Sequence, residues 1–195
     1  MRHRTTDTLT RYFNRIRAHD DAPMRRDINP ADITGILPDV FMLESVDNRW
    51  FRFRLAGTRL CAILGQEARG AEFTLFWSAD DRRRITLAAQ SLLAQQRPLI
   101  ISARDTFSAD EYELALFPLR SSPDTCDRIF GSMSRFETKM PIQPGARLSI
   151  VSMQFITDDD GVEPRPLRDD GVAAANVFVR SRGVQFQVIT GGRAD

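Results

Sequence analysis

Phe51-Arg-Phe-Arg-Leu-Ala-Gly-Thr-Arg-Leu-Cys-Ala-Ile-Leu-Gly-Gln-Glu-Ala-Arg-Gly70 reads as a strand, a glycine corner, a short helix and a second glycine corner. Phe51, Phe53 and Leu55 alternate with Arg52 and Arg54. That spacing predicts one apolar and one cationic face, the pattern of a half-buried strand. Gly57 ends the strand, and Thr58 can cap the short helix. Leu60, Ile63 and Leu64 return at helical spacing, and Gly65 can close that turn in the left-handed region.

Working outward, Val40-Phe-Met-Leu-Glu-Ser-Val46 predicts a strand that an Asp47-Asn48 turn joins to the first as a hairpin. Asn29-Pro30 signals a helix start, with Asn29 as cap and Pro30 in the first helical position; Gly35 and Pro38 keep it short. Residues 5–19 carry an amphipathic helical pattern, with Thr6 or Asp7 as cap and Leu9, Tyr12, Phe13 and Ile16 on one stripe. That stripe either folds onto its own domain or makes a dimer contact. Downstream, Phe73, Phe76 and Trp77 form an apolar cluster, and Ser78-Ala-Asp-Asp81 opens a helix that runs to about Gln96. Leu99–Arg104, Tyr112–Leu119 and Arg128–Phe136 predict three more strands. Consecutive strands at hairpin spacing imply an antiparallel sheet, with the intervening helices over one face: an α+β fold. Leu148–Ile156 is apolar and β-prone, Asp158–Asp170 is an acidic linker bearing prolines, and residues 177–179 and 184–188 suggest a last hairpin. The chain therefore divides into an N-terminal helix (1–22), a central domain (23–140) and a C-terminal extension (141–195).

The 195 residues are 42% hydrophobic with a mean hydropathy of −0.31, enough for a sizeable core. A net charge of +1 argues against a protein whose main task is to wrap nucleic acid. Lys139 is the sole lysine, and the many arginines are scattered among 26 acids, a bias that codon usage explains more simply than phosphate recognition does. Two cysteines, Cys61 and Cys126, do not make a disulfide scaffold. The first residues lack the apolar segment of a signal peptide, and no apolar run approaches the ~20 residues that span a bilayer. A cytoplasmic setting is the expectation.

In order and spacing, several pieces of the chain resemble the PAS domain superfamily, specifically its fifth subfamily of bacterial proteins. They are Arg26-Asp-Ile-Asn-Pro30, Leu37-Pro38 leading into Val40-Phe-Met-Leu43, Phe51 to Thr58, Gly65-Gln-Glu67 with Gly70, and the Phe73, Phe76, Trp77 cluster. Together they cover roughly residues 23–136; Asn29-Pro30 stands where the subfamily usually has Asp-Pro. The resemblance implies a five-stranded antiparallel sheet with a helical flank and a cavity between them. It implies a sensory or regulatory module rather than an enzyme.

On that resemblance the pocket candidates are Phe53, Leu55, Leu60, Leu64, Phe73, Phe76, Trp77, Leu92, Ile101 and Leu116, with Arg54, Arg59 or Arg69 as a polar anchor for an anionic ligand. Each of these has a plainer reading, as core for the apolar set and as solvated surface for the arginines. No cofactor is identified. Haem needs an axial ligand, and the only histidines, His3 and His19, precede the central domain. Covalent flavin chemistry needs a reactive cysteine in an Asn-Cys-Arg-type motif, whereas Cys61 sits in Leu60-Cys-Ala-Ile63 and reads as packing. Two distant Cys and two distant His offer no metal-ligand spacing. No histidine lies within the central domain to activate a Ser or Cys nucleophile, so no catalytic residue is assigned. Arg82-Arg-Arg84 is the densest basic patch and can pair with Asp80 and Asp81. The expected partners are a second copy of the chain, a separate signalling protein as output and a small-molecule ligand, with neither membrane nor nucleic acid. Two alternatives remain: a regulator that binds nucleotides or nucleic acid through its arginines, and a small enzyme on a PAS-like scaffold.

Overall fold

The hairpin read from the sequence is present: β1 (Val40–Val46) pairs antiparallel with β2 (Trp50–Ala56). Asp47 and Asn48 at its tip both take positive φ, which these residue types tolerate. A computed structural model describes residues 2–17, 22–136 and 141–156. The linker at 158–170 and the hairpin at 177–188 lie outside the described residues.

After β2, Gly57 turns the chain into α2 (Thr58–Leu64). Its N–H donates to the Val40 carbonyl at 2.8 Å, and a Cβ there would run into the Pro38 carbonyl. Only glycine permits that approach. Gly65 closes α2 at φ +73° and donates to the Cys61 carbonyl, a left-handed C-cap. A 3-10 turn over Phe73–Phe76 and another over Ala79–Asp81 lead into α3 (Arg82–Gln95). Then come β3 (Leu99–Asp105), β4 (Glu111–Ser122), β5 (Thr125–Arg135) and β6 (Leu148–Phe155). The sheet order is β2-β1-β5-β4-β3-β6, and every neighbouring pair is antiparallel.

The sheet therefore has six strands where five were expected. Leu148–Phe155, assigned on sequence to the C-terminal extension, pairs with β3 along its length. A carboxylate fixes it there. Asp81, at the start of α3, accepts from Ile150 N–H (2.9 Å), Ser149 Oγ (2.9 Å) and Ser78 Oγ (3.0 Å), and pairs with Arg84 at 2.7 Å. Burial alone would raise this carboxyl, which is 4% exposed, but the hydrogen bonds and the Arg84 charge outweigh it and hold it below the ordinary range. Asp105 works the same way: burial opposes its charge, and donors on Ser108, Arg147 and Phe107 more than compensate.

Both faces of the sheet are covered. On the inner face Phe41, Leu43, Phe53, Ile101, Leu114 and Met133 pack against α2, α3 and the Phe73–Phe76 turn. On the outer face Met42, Ala115, Phe117, Leu119 and Phe130 pack against two N-terminal elements. One is α1 (Arg4–Ile16); the other is a 3-10 segment, Pro30–Asp39, in which Asn29 Oδ1 caps Ala31 N–H at 3.2 Å as its Asn-Pro start predicts. The apolar run of β1 is continuous because both of its faces are buried.

The α1 stripe resolves one ambiguity. Leu9, Tyr12 and Phe13 are buried on the chain's own sheet, the Phe13 ring 4.8 Å from that of Phe117, and Ile16 packs at the rim. The stripe is thus an intrachain core contact and not a free surface for a second copy. The helix also starts earlier than Thr6 or Asp7 suggest. His3 is the cap: its Nδ1 accepts from Thr5 N–H at 3.1 Å while its own N–H donates to Glu113 Oε1 at 2.7 Å.

Candidate functional site

Two places in this fold could carry function, the interior between sheet and helices and a groove on the outer face. In the interior, Phe53, Leu60, Leu64, Phe73, Phe76, Trp77, Leu92, Ile101 and Leu116 are all buried in one core cluster. They meet one another directly. Phe53 lies 5.6 Å from Phe41, 5.7 Å from Phe73 and 5.6 Å from Phe76, centroid to centroid, and Phe73 lies 5.8 Å from Trp77. These are mostly edge-to-face contacts, the favoured geometry of aromatic pairs. Five rings thus occupy the space between β1, β2 and the Phe73–Phe76 turn. Two polar atoms in this cluster, Trp77 Nε1 and Tyr112 Oη, have no hydrogen-bond partner among the described residues. Burial, with the nearby Asp110 charge, pushes the Tyr112 hydroxyl up to about 12.

Leu55 does not join this set; it is 49% exposed. The cause is a β-bulge. Met42 pairs with Leu55 but Leu43 pairs with Phe53, so Arg54 is the extra residue and the alternation changes phase there. Leu55 then follows Met42, whose side chain belongs to the outer core.

The anchor candidates separate in the same way. Arg59 is paired with the buried Asp39 of its own chain, an ion pair that ties α2 to the start of β1. Arg69 is exposed on the loop after α2. Arg54 alone stands at a cavity, a groove of about 300 Å³ on the outer face. The 3-10 turn Arg25–Asp27 forms one wall, contributing Arg25 and Arg26 beside Met24. The sheet supplies Met42, Arg54 and Arg128, with Ser121 at the end of β4.

The charges of this groove are unevenly matched. Glu44 Oε1 pairs with Arg128 at 2.7 Å and Oε2 with Arg54 at 3.2 Å. Asp127 adds a second carboxylate to Arg128 at 3.0 Å. The Asp27 carboxylate accepts from the Met24 N–H at 2.8 Å. Among the described residues no carboxylate pairs with Arg25 or Arg26. The turn that carries them is nonetheless fixed, because Arg120 N–H donates to the Pro23 carbonyl and Arg120 Nε to the Ala22 carbonyl.

Sequence reasoning named Arg54 but missed Arg25, Arg26 and Arg128. These lie far apart in the chain, and only the sheet order brings β5 beside β1 and the N-terminal turn over both. The dense patch Arg82-Arg-Arg84 is partly spent on structure, since Arg84 holds Asp81. Cys61 is free and half-buried against the inner core, 3.8 Å from Glu67 Oε1. Cys126 lies on β5 rather than in a loop, and burial with the Asp127 charge raises its thiol to about 11. No three His, Cys, Asp or Glu among the described residues cluster as metal ligands. No helix among them is long and apolar enough to cross a membrane.

Among known proteins, eight chains of solved structures match; one is described as the crystal structure of Rhodobacter sphaeroides LOV protein. It shares 13% identity, covers 57% of this chain and 70% of its own, and superposes with a TM-score of 0.40. No curated protein matches the sequence. A family model described as PAS domain matches residues 1–134, which takes in α1 as well as the pieces that carry the sequence resemblance. A match over that share of the 195 residues places the chain in the PAS domain family, whose members are sensory and regulatory modules.

Proposed function

We propose that this chain is a regulatory PAS module whose output is contact with a separate protein and whose interior is a packed core rather than a ligand chamber. The carrying observation is the ring-to-ring packing of Phe41, Phe53, Phe73, Phe76 and Trp77 where a ligand would sit. Protein interiors at this packing leave few voids larger than a water. In this reading the chain binds and does not convert, and the N-terminal helix serves the fold.

Native mass spectrometry of the freshly purified full chain, paired with chemical cross-linking in the cell that expresses it, tests the reading. The expected results are a polypeptide with no retained apolar small molecule and a cross-linked protein of different sequence. A small molecule held by the wild type and expelled by Leu60→Phe, which adds bulk to the inner core, would overturn the packed interior. Cross-links confined to the chain itself would overturn the proposed output.

A further inference from the structure

The outer groove gathers four arginines, Arg25, Arg26, Arg54 and Arg128, around one cavity. Arg25 and Arg26 lie on a 3-10 turn with no buried residue, so they contribute nothing to the core. They project beside Arg54 and Arg128, and the nearest carboxylate shared by the sheet arginines is the single residue Glu44. Those two arginines are held differently. Arg128 has an 18% exposed side chain and is gripped by both Glu44 and Asp127. Arg54 has a 65% exposed side chain and touches Glu44 only at 3.2 Å. Arg128 therefore fixes Glu44, while Arg54 is able to turn toward an incoming anion. Bulges re-aim side chains in this manner, and Arg54 is the bulged residue of β2.

The remaining lining selects the kind of anion. Met24 and Met42 give an apolar, polarizable floor suited to a flat ring. A volume near 300 Å³ is at the lower end of small-molecule sites. A net charge of +1 lacks the basic excess expected of a protein built mainly to bind a polyanion. We propose that this groove binds a nucleoside diphosphate or a close analogue, with phosphates on Arg25, Arg26 and Arg54 and the base on Met24 and Met42. Guanidinium groups suit phosphate through paired N–H donors, and a site with several of them discriminates phosphate from singly charged acids. The assignment is independent of how the module delivers its output and of whether the interior is filled.

Isothermal titration of the full chain with ADP and GDP, at low salt, tests it, with adenosine and inorganic pyrophosphate as controls. Saturable binding of at least one diphosphate is expected, with adenosine and pyrophosphate each weaker by about tenfold or more. Arg25→Ala combined with Arg26→Ala should weaken it by about tenfold or more. Both positions are exposed, so the variant keeps its far-ultraviolet circular dichroism. Glu44→Gln should instead tighten binding, by about threefold, because it removes the counter-charge from Arg54. No saturable binding of either diphosphate, or binding unchanged in the double variant, would overturn the proposal. Equal affinity for pyrophosphate and ADP would overturn the assignment to a nucleotide, as would binding seen only with a single-stranded oligonucleotide.

Discussion

The inner and outer faces of this one sheet are closed by different means. On the inner face, α2, α3 and the Phe73–Phe76 turn enclose aromatic rings that contact one another continuously. On the outer face, α1 and the Pro30–Asp39 segment cover part of the sheet, and polar groups are interleaved with the apolar ones. Thr6, Glu113, Ser132 and Ser134 are buried there, and the hydroxyls of Thr6, Ser132 and Ser134 have no partner among the described residues. Beyond the end of that cover the same face opens into the arginine groove. Buried polar atoms without partners reduce the net gain from closing. The outer face has three such hydroxyls among few aromatic contacts, and the inner face has two such groups, Trp77 Nε1 and Tyr112 Oη, within a continuous aromatic core. The inner face thus carries the larger share of aromatic packing, and the outer face is where the arginine groove opens to solvent.

The largest effect should separate the two faces. Phe53→Ala removes a ring that touches three others, and it should cost about 3–5 kcal/mol in chemical denaturation. Phe13→Ala removes a ring that packs on Phe117, but beneath a single helix that can settle into the space. Its cost should be lower by about 1 kcal/mol or more, because the penalty depends on how far a site collapses. Amide exchange in the Phe13 variant should rise first in α1, as local opening does. Equal costs for the two variants would break the comparison.

The next effect concerns the edge strand β6 and is readable by pH. Asp81 and Asp105 both hold their carboxyls below the ordinary range, so the unfolded chain binds protons more readily than the folded one. Their contribution is complete above the unfolded value of about 3.9 and is lost as pH falls through the lower folded values. Acidification should therefore release β6, seen as faster amide exchange at Ser149 and Ile150 before the inner core responds. Asp81→Asn should remove about 2 kcal/mol at neutral pH and flatten this acid dependence. An unchanged acid profile in that variant would place the β6 clamp elsewhere.

Much of the inner face is legible in the sequence, since its elements carry their own local signals. Gly57 and Gly65 mark corners, and Leu60, Ile63 and Leu64 mark the buried side of α2. The Asp47-Asn48 turn fixes the hairpin, and the Phe73 to Trp77 cluster is dense enough to declare itself as core. The outer face is read less well because its contacts are long-range. An amphipathic α1 looks the same whether it covers its own sheet or a second copy, and only the buried Phe13–Phe117 contact decides. β6 joins the sheet through its pairing with β3 and a further tie to the Asp81 carboxylate, both far away in sequence, which no pattern within residues 148–155 can reveal. The groove needs Arg25, Arg54 and Arg128 from three separate segments, so scattered arginines look like solvated surface until the sheet order gathers them.

The smallest effect tests where the two faces exchange residues. By strict alternation Leu55 should be as costly to replace as Phe53. The Arg54 bulge moves Leu55 out of phase and leaves it 49% exposed, beside Met42 on the outer side. Leu55→Ser should therefore cost no more than about 0.5–1 kcal/mol, the range of partly exposed positions away from special features. Deleting Arg54 sharpens the test. The deletion restores one-to-one pairing across Met42 and Leu43, with Phe53 still facing inward and Leu55 still facing outward. Deleting Arg52, in the regular part of the strand, instead drives Phe51 off the buried face and should cost far more. Equal losses of stability in the two deletions would mean that β2 is regular and that Leu55 belongs to the inner core. A tolerated Arg54 deletion that also weakens diphosphate binding would show that the bulge serves the groove and not the fold, since the residue it adds is the one arginine of β2 that lines that groove.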